Sequence, residues 1–333
     1  MMSKPIVWIS RPFFPDIVDR LRPWFEVRAE TEERSFSSTE LAARLADADA
    51  AIVGLAERID ATAIASAPRL RFVANLGVGY NNLDIDALTE AGIGASNTPD
   101  VLNETVADYA WALMLAAARR IGEAERWLRD GQWHGSRFEG WLGADVHGKT
   151  IGILGMGRIG QAIARRAYGF QAKVIYHNRS RLAPEIEREY AATYVDKASL
   201  LAASDHLILV LPYTPLSHHA IGGPELKAMK PTATLVNVAR GGIVDDAALA
   251  RALADGTIAA AALDVFEGEP KVHPDLMKLQ NIVLSPHIAS ASRDTRRDMA
   301  ALAVDNVLAA FGHGPDAGRP PTILNPGVLA DAS

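Results

Sequence analysis

Apolar and polar positions fall into two alternating kinds of segment in the first hundred residues. Short segments at Pro5–Ser10, Phe25–Arg28, Ala50–Leu55, Leu70–Leu76 and Gly94–Asn97, the first a β-branched apolar run, read as strands. Between them, Asp16–Leu21, Ser38–Leu45 and Asp84–Ala91 carry helical spacing; the second opens on Ser/Thr and the third closes at Gly92. Strands alternating with helices predict a parallel sheet with helices on its faces. Thr98-Pro99-Asp100 predicts a helix start, with proline at the first helical position and an acid in the first turn. That helix runs to Arg120 and is apolar on nearly all sides, so it is expected to be buried between domains or subunits. A second series starts at Lys149, with strands at Thr150–Leu154, Lys173–His177, His206–Leu211, Thr232–Val238, Ala259–Val265 and Ile282–Ser285. From Arg293 the pattern is helical again, and a Pro/Gly-rich tail follows Gly312. The two series share no residue-level repeat.

The length of 333 residues suits about two domains of this kind. The absence of cysteine excludes disulfides, thiolate zinc sites, iron–sulfur clusters and a cysteine nucleophile. A formal charge of −6 gives no general attraction to nucleic acid or to acidic membranes. After Met1-Met2-Ser3-Lys4-Pro5, the apolar run Ile6–Ile9 is too short for a signal peptide, and no run is long enough to span a membrane. A cytoplasmic protein is expected. Trp127, Trp133 and Trp141, half of the six tryptophans, lie in one polar, Gly-containing stretch. It reads either as a loop pinned by aromatic side chains or as a subunit interface.

Gly155, Gly157 and Gly160 fit G-x-G-x-x-G, with Met156, Arg158 and Ile159 between them. The motif alone is weak. Here it follows an apolar strand and opens the helix Arg158–Tyr168, the context a dinucleotide-binding turn requires. The helix N-terminus then offers N–H groups to phosphates. An NAD site usually carries an acid about 20 residues on, to bind the ribose 2′-hydroxyl. This chain has Asn178 there, followed by Arg179, Ser180 and Arg181. An acid would repel a 2′-phosphate, whereas two arginines and a hydroxyl would bind it, so NADPH is expected in preference to NADH.

In an open α/β sheet the ligand lies beyond the carboxyl ends of the strands. The later strands are followed by Leu211-Pro212-Tyr213-Thr214, by Arg240-Gly241-Gly242, by Glu269 (with Asp264 inside the strand end) and by Pro286-His287. Right-handed crossovers put these on the same rim as the glycine loop. Reducing a carbonyl by hydride builds charge on oxygen that then needs a proton. Histidine supplies one near neutral pH, a carboxylate partner favours its imidazolium, and arginine grips a keto-acid carboxylate at two points.

These motifs resemble those of the D-isomer-specific 2-hydroxyacid dehydrogenases: Gly155–Gly160, Asn237–Asp245, Leu263–Pro270 and Ser285-Pro286-His287-Ile288, over roughly residues 40–312. The resemblance implies that His287 is the acid/base, that Glu269 pairs with it and that Arg240 binds and orients substrate. Asp264 would contact the nicotinamide amide, Val238 and Ala239 would line its pocket, and Thr105, Leu211, Pro212 and Ala289 would also meet the cofactor. Gly77-Val78-Gly79 would hold the substrate carboxylate, through the backbone at Val78 and Gly79. The implied architecture is two Rossmann-like or flavodoxin-like parallel-sheet domains. An NAD(P)-binding domain, 101–289, is inserted into a discontinuous substrate domain, 1–100 with 290–333, with the active site in the cleft between them. The helix Asp100–Arg120 would belong to the core of a homodimer. No metal is implied.

Within the family, Trp141-Leu142-Gly143 and His177–Arg181 look most like the glyoxylate/hydroxypyruvate reductases, with 2-ketogluconate reductases as close neighbours. One departure is Ser217, where a threonine is common. The expected activity is NADPH-dependent reduction of small 2-keto acids. The alternatives are a sugar-acid reductase, a phosphoglycerate dehydrogenase (disfavoured by the short tail) and a non-enzymatic, cofactor-sensing scaffold. No Tyr-x-x-x-Lys occurs, which argues against a short-chain dehydrogenase.

Overall fold

The computed structural model describes residues 3–136 and 138–330; Met1 and Met2 lie outside them. The chain divides into two compact units, Met1–Leu102 with Ser292–Ser333, and Asn103–Ala291.

In the first unit, among the described residues, five parallel strands form one sheet: β1 (Ile6–Ile9), β2 (Glu26–Ala29), β3 (Ala50–Val53), β4 (Phe72–Asn75) and β5 (Gly94–Ser96), in the order β2-β1-β3-β4-β5. Strands β1, β3 and β4 are buried on both faces, which is why they read as continuous apolar runs rather than alternating ones. On one face Val7, Ile9, Ile52 and Phe72 pack against Ile17 of α1 (Pro15–Val18) and against Ala303, Val304 and Val307 of the C-terminal helix Arg293–Ala310. On the other, Trp8, Ala51, Val53 and Val73 meet Leu41 and Leu45 of α2 (Ser38–Leu45), Ala63 of α3 (Ala61–Ala65) and Leu88 of α4 (Ile85–Glu90). Helix α2 starts in a reciprocal capping box between Ser37 and Glu40, and Asp60 and Asp84 cap α3 and α4.

The second unit begins with α5 (Asn103–Ala118) and α6 (Ile121–Arg129). It continues as β6 (Thr150–Leu154), α7 (Arg158–Ala167), β7 (Lys173–His177), α8 (Pro184–Glu189), β8 (Ala192–Tyr194), α9 (Lys197–Ala203) and β9 (His206–Leu209). The last elements are α10 (Gly223–Ala228), β10 (Thr234–Asn237), α11 (Asp246–Ala254), β11 (Ala260–Leu263) and β12 (Ile282–Leu284). All seven described strands are parallel, in the order β12-β11-β10-β9-β6-β7-β8. Helices α9, α10 and α11 supply Leu200, Leu226 and Leu249 to the core on one face, and α5 and α7 pack together on the unit's other elements. The strand order reverses between β6 and β9, the switch point at which doubly wound sheets bind ligands.

One expectation is corrected, and one strand is added to those the sequence predicts. Helix α5 begins at Asn103, not at Thr98-Pro99-Asp100; Asp100 has φ +70, a left-handed conformation that cannot lie within a right-handed helix. Helix α5 is buried along most of its length, from Val106 to Ala118. Its packing partners are β10, β11, β12 and α7, with Trp111 donating Nε1–H to the Ile163 carbonyl at 3.0 Å and stacking on Phe170. The sequence reading lacks β8, whose Ala-Thr-Tyr has no apolar run of the kind that marks β12. In the tryptophan-rich stretch Trp127 lies on α6 and meets Trp141 edge-on at 5.2 Å, with the Arg120 guanidinium over Trp141; Trp133 is exposed. No helix among the described residues is long and apolar enough to cross a membrane.

Candidate active site

The glycine loop leaves β6 at the switch point. Gly155 has φ +105, and a Cβ there would lie 2.8 Å from the backbone nitrogen of Leu211, so only glycine lets this turn meet the segment after β9. At Gly157, which precedes the first turn of α7, an added Cβ would meet nothing within 4 Å. The space a pyrophosphate would occupy at this helix N-terminus is therefore open, and the residues present fit a dinucleotide. Met156 is buried, and its N–H donates to Asn178 Oδ1 at 2.7 Å. Asn178 thus holds the glycine loop to the end of β7. Beyond it, Arg179, Ser180 and Arg181 are exposed. Arg181 makes a two-point pair with Glu187 (2.9 and 2.7 Å), which with the Tyr176 hydroxyl holds the Glu187 carboxyl down at about 2. No ion pair engages Arg179 among the described residues.

The catalytic candidates stand on three adjacent strand ends. After β10, Asn237 folds the chain back: its Oδ1 accepts from Ala239 N–H and its Nδ2 donates to the Arg240 carbonyl (3.0 and 3.2 Å). Val238 and Ala239 are buried here. Arg240 Nη1 donates to the Ala239 carbonyl. Burial pulls the Arg240 guanidinium below its ordinary pKa, opposed by the charge of Glu269. A Cβ on Gly241 would lie 1.7 Å from the Phe266 carbonyl oxygen, so glycine is what lets the loops after β10 and β11 touch.

After β11, Glu269 Oε1 accepts from Phe266 N–H (2.9 Å) and Oε2 lies 2.8 Å from His287 Nδ1. Burial works against its charge, yet His287, the Phe266 N–H and Arg240 together hold the carboxyl below its ordinary range. After β12, His287 sits at φ +55, a strained conformation for a non-glycine residue. It is held there by many bonds. Its N–H reaches the Asp264 carbonyl, while the Asp264 carboxylate accepts from Ser285 Oγ (2.6 Å), Ile288 N–H (2.9 Å) and Ala289 N–H (2.8 Å). The structure therefore gives the fully buried Asp264 a task the sequence did not suggest: both carboxylate oxygens bind the loop that presents His287. Ala289 is buried in the same loop, and Thr105 lies half-buried in the first turn of α5.

In the other unit, Val78 and Gly79 follow β4. The carbonyls of Gly77, Val78 and Gly79 accept from Asn75, Asn97 and Thr98, and among the described residues neither the Val78 nor the Gly79 N–H finds an acceptor.

The residues from Trp111 to Ala289 match the model of the D-isomer specific 2-hydroxyacid dehydrogenase NAD-binding domain. The chain belongs to the D-isomer specific 2-hydroxyacid dehydrogenase family. It is an NAD(P)-dependent dehydrogenase. It is 47% identical to a glyoxylate reductase of Thermococcus onnurineus, over 98% of this chain and 97% of the relative. Among solved structures it resembles a glyoxylate reductase from Paecilomyes thermophila (TM-score 0.86, 34% identity, 97% of this chain and 99% of that one). It also resembles an NADPH-dependent glyoxylate/hydroxypyruvate reductase from Sinorhizobium meliloti in complex with NADP and malonate (TM-score 0.85, 36% identity, 97% and 98%). In this dehydrogenase, Asn237, Ser285 and Asp246 are the positioning residues that sequence reasoning missed. Asn237 and Ser285 stand inside motifs already singled out, yet only their hydrogen bonds show what they do.

Asp246, the first residue of α11, accepts from Glu267 N–H at 3.0 Å and so anchors the loop carrying Glu269. Burial pushes its carboxyl from 3.8 up to about 6, against the opposing Glu267 N–H. The native state therefore binds this proton more tightly than the unfolded chain. Stability from this group falls as pH rises between about 4 and 6, by about 3 kcal/mol in all. Asp246→Asn keeps an acceptor for Glu267 N–H and removes the charge. The variant is expected to melt several degrees above the wild type at pH 8 and close to it at pH 4. Equal melting temperatures at pH 8 would refute the burial argument.

Proposed function

We propose that this dehydrogenase reduces small 2-keto acids, glyoxylate and hydroxypyruvate among them, to D-2-hydroxy acids with NADPH. The observation that carries the reading is the His287–Glu269 pair, 2.8 Å long, beside the half-buried Arg240. The nicotinamide cofactor, when bound, supplies the hydride. His287 gives its Nδ1 edge to Glu269, which leaves Nε2 to hold the proton that the carbonyl oxygen takes up. Glu269 stabilises the imidazolium and fixes the ring. Arg240 grips the keto-acid at two points and places its carbonyl. The Val78 and Gly79 N–H groups suit a carboxylate. The similarity to glyoxylate reductases supports the choice of small substrates over sugar acids. The test is turnover of glyoxylate, hydroxypyruvate and 2-ketogluconate with each cofactor. Turnover of 2-ketogluconate without glyoxylate would replace this reading by the sugar-acid one.

For NADPH the support lies in the missing acid after β7 and in the exposed Arg179 and Ser180. Asn178 and Arg181 already serve the glycine loop and Glu187. Arg179 is accordingly the principal partner of the 2′-phosphate. Arg179→Ala is expected to raise KM for NADPH about 10- to 100-fold, the worth of one charge-assisted contact, and to leave NADH kinetics unchanged. Arg181→Ala should do less. Steady-state kinetics with both cofactors decide it; equal losses with NADPH and NADH would contradict the assignment.

A further inference from the structure

We propose a second site in this chain, for a borderline divalent transition-metal ion such as Zn²⁺, formed by His218, His219 and Glu267. Among the described residues, one ligand atom from each of these three lies within 4.8 Å of the others. His219 Nε2 is 3.1 Å from both Glu267 carboxylate oxygens. The His218 ring stacks on His219 with centroids 3.9 Å apart. Two imidazoles and a carboxylate make a donor set that binds zinc and leaves a fourth position for water.

The site is built on fixed backbone. His219 N–H donates to the Gly242 carbonyl at 2.7 Å, and Ile221 N–H to the Ile243 carbonyl at 3.0 Å. Glu267 N–H is bound by Asp246. The side chains are freer, with His218 and Glu267 exposed and His219 half-buried. That freedom is needed, because stacked rings aim their lone pairs in parallel. Bonds of about 2.0–2.1 Å require the His218 ring to turn and the donors to draw together. The Tyr213 hydroxyl, 3.1 Å from His218 Nδ1, holds that nitrogen and leaves Nε2 for the ion. The ion would take the place of the hydrogen bond between His219 and Glu267. It would tie the loop after β9 to the loop after β11. None of the three residues has a part in the proposed hydride chemistry, so the site stands or falls separately from that reading.

The test uses tag-free full-length protein at pH 7.5 with Zn²⁺ in isothermal titration calorimetry, and with Co²⁺ read by its visible absorption. Expected are one ion per chain and a drop of at least tenfold in affinity in each of His218→Ala and Glu267→Gln. The proposal is overturned if the wild type binds no ion at submillimolar concentration. It is also overturned if affinity survives in either variant, since each is a required ligand.

Discussion

Replacing His287 by alanine is expected to lower kcat for keto-acid reduction about 10³-fold while the dissociation constant for NADPH stays within about twofold. The rate falls because the proposed proton comes from the imidazole that Glu269 fixes at 2.8 Å. Cofactor binding survives because the glycine loop and the end of β7 are built from other residues. The geometry also dictates a control. His287 stands at φ +55, so alanine adds backbone strain to the chemical loss. Asparagine tolerates that conformation and carries no titratable proton. If His287→Asn loses as much as His287→Ala, the proton transfer is responsible; if it retains the rate to within tenfold, the histidine is not the acid. Lowering the pH should rescue neither variant. Without His287, burial is opposed at Glu269 only by the Phe266 N–H and Arg240, and a protonated Glu269 held in that loop does not replace the imidazole.

Each catalytic candidate is legible in the sequence because it lies in the loop that follows a parallel strand. Strands β10 and β11 are buried throughout, so the charged residues that follow them are conspicuous, and topology then puts them on one rim. What stayed hidden was the support. Asp264 is legible as a polar residue at a strand end, and the family resemblance directs it to the cofactor. That its two oxygens bind Ser285, Ile288 and Ala289 depends on the register of β11 against β12, which pairs Leu263 with Leu284 and is not written in local pattern. The division of labour after β7 was hidden for a similar reason. Arg179 and Arg181 look alike in a string of letters, but Glu187, on α8, lies within reach of one and takes it. Local signals failed where tertiary contact overrode them. Pro99 imitates a helix start, yet Asp100 turns left-handed and the helix waits for Asn103.

Arg240→Lys is the sharper test of substrate orientation, and the loss is expected in kcat/KM, by about 10²–10³-fold. The Asn237 turn holds the Arg240 backbone, and Nη1 rests on the Ala239 carbonyl, so the guanidinium plane is fixed before substrate arrives. A planar fork offers two parallel donors to a carboxylate; an ammonium offers the same charge at one point. If charge alone mattered, lysine would restore most of the activity lost in Arg240→Ala. If orientation matters, lysine recovers part of the binding and little of kcat, because the carbonyl is no longer placed against His287. Burial sharpens the contrast. It already disfavours the charge at this position, with Glu269 the cation's partner inside the loop, so a lysine here loses its proton more readily as pH rises than the arginine does. The lysine variant should therefore show a new loss of kcat/KM on the alkaline side that the wild type lacks. A flat alkaline limb together with restored kcat would place Arg240 outside substrate orientation and leave the His287–Glu269 pair to act without it.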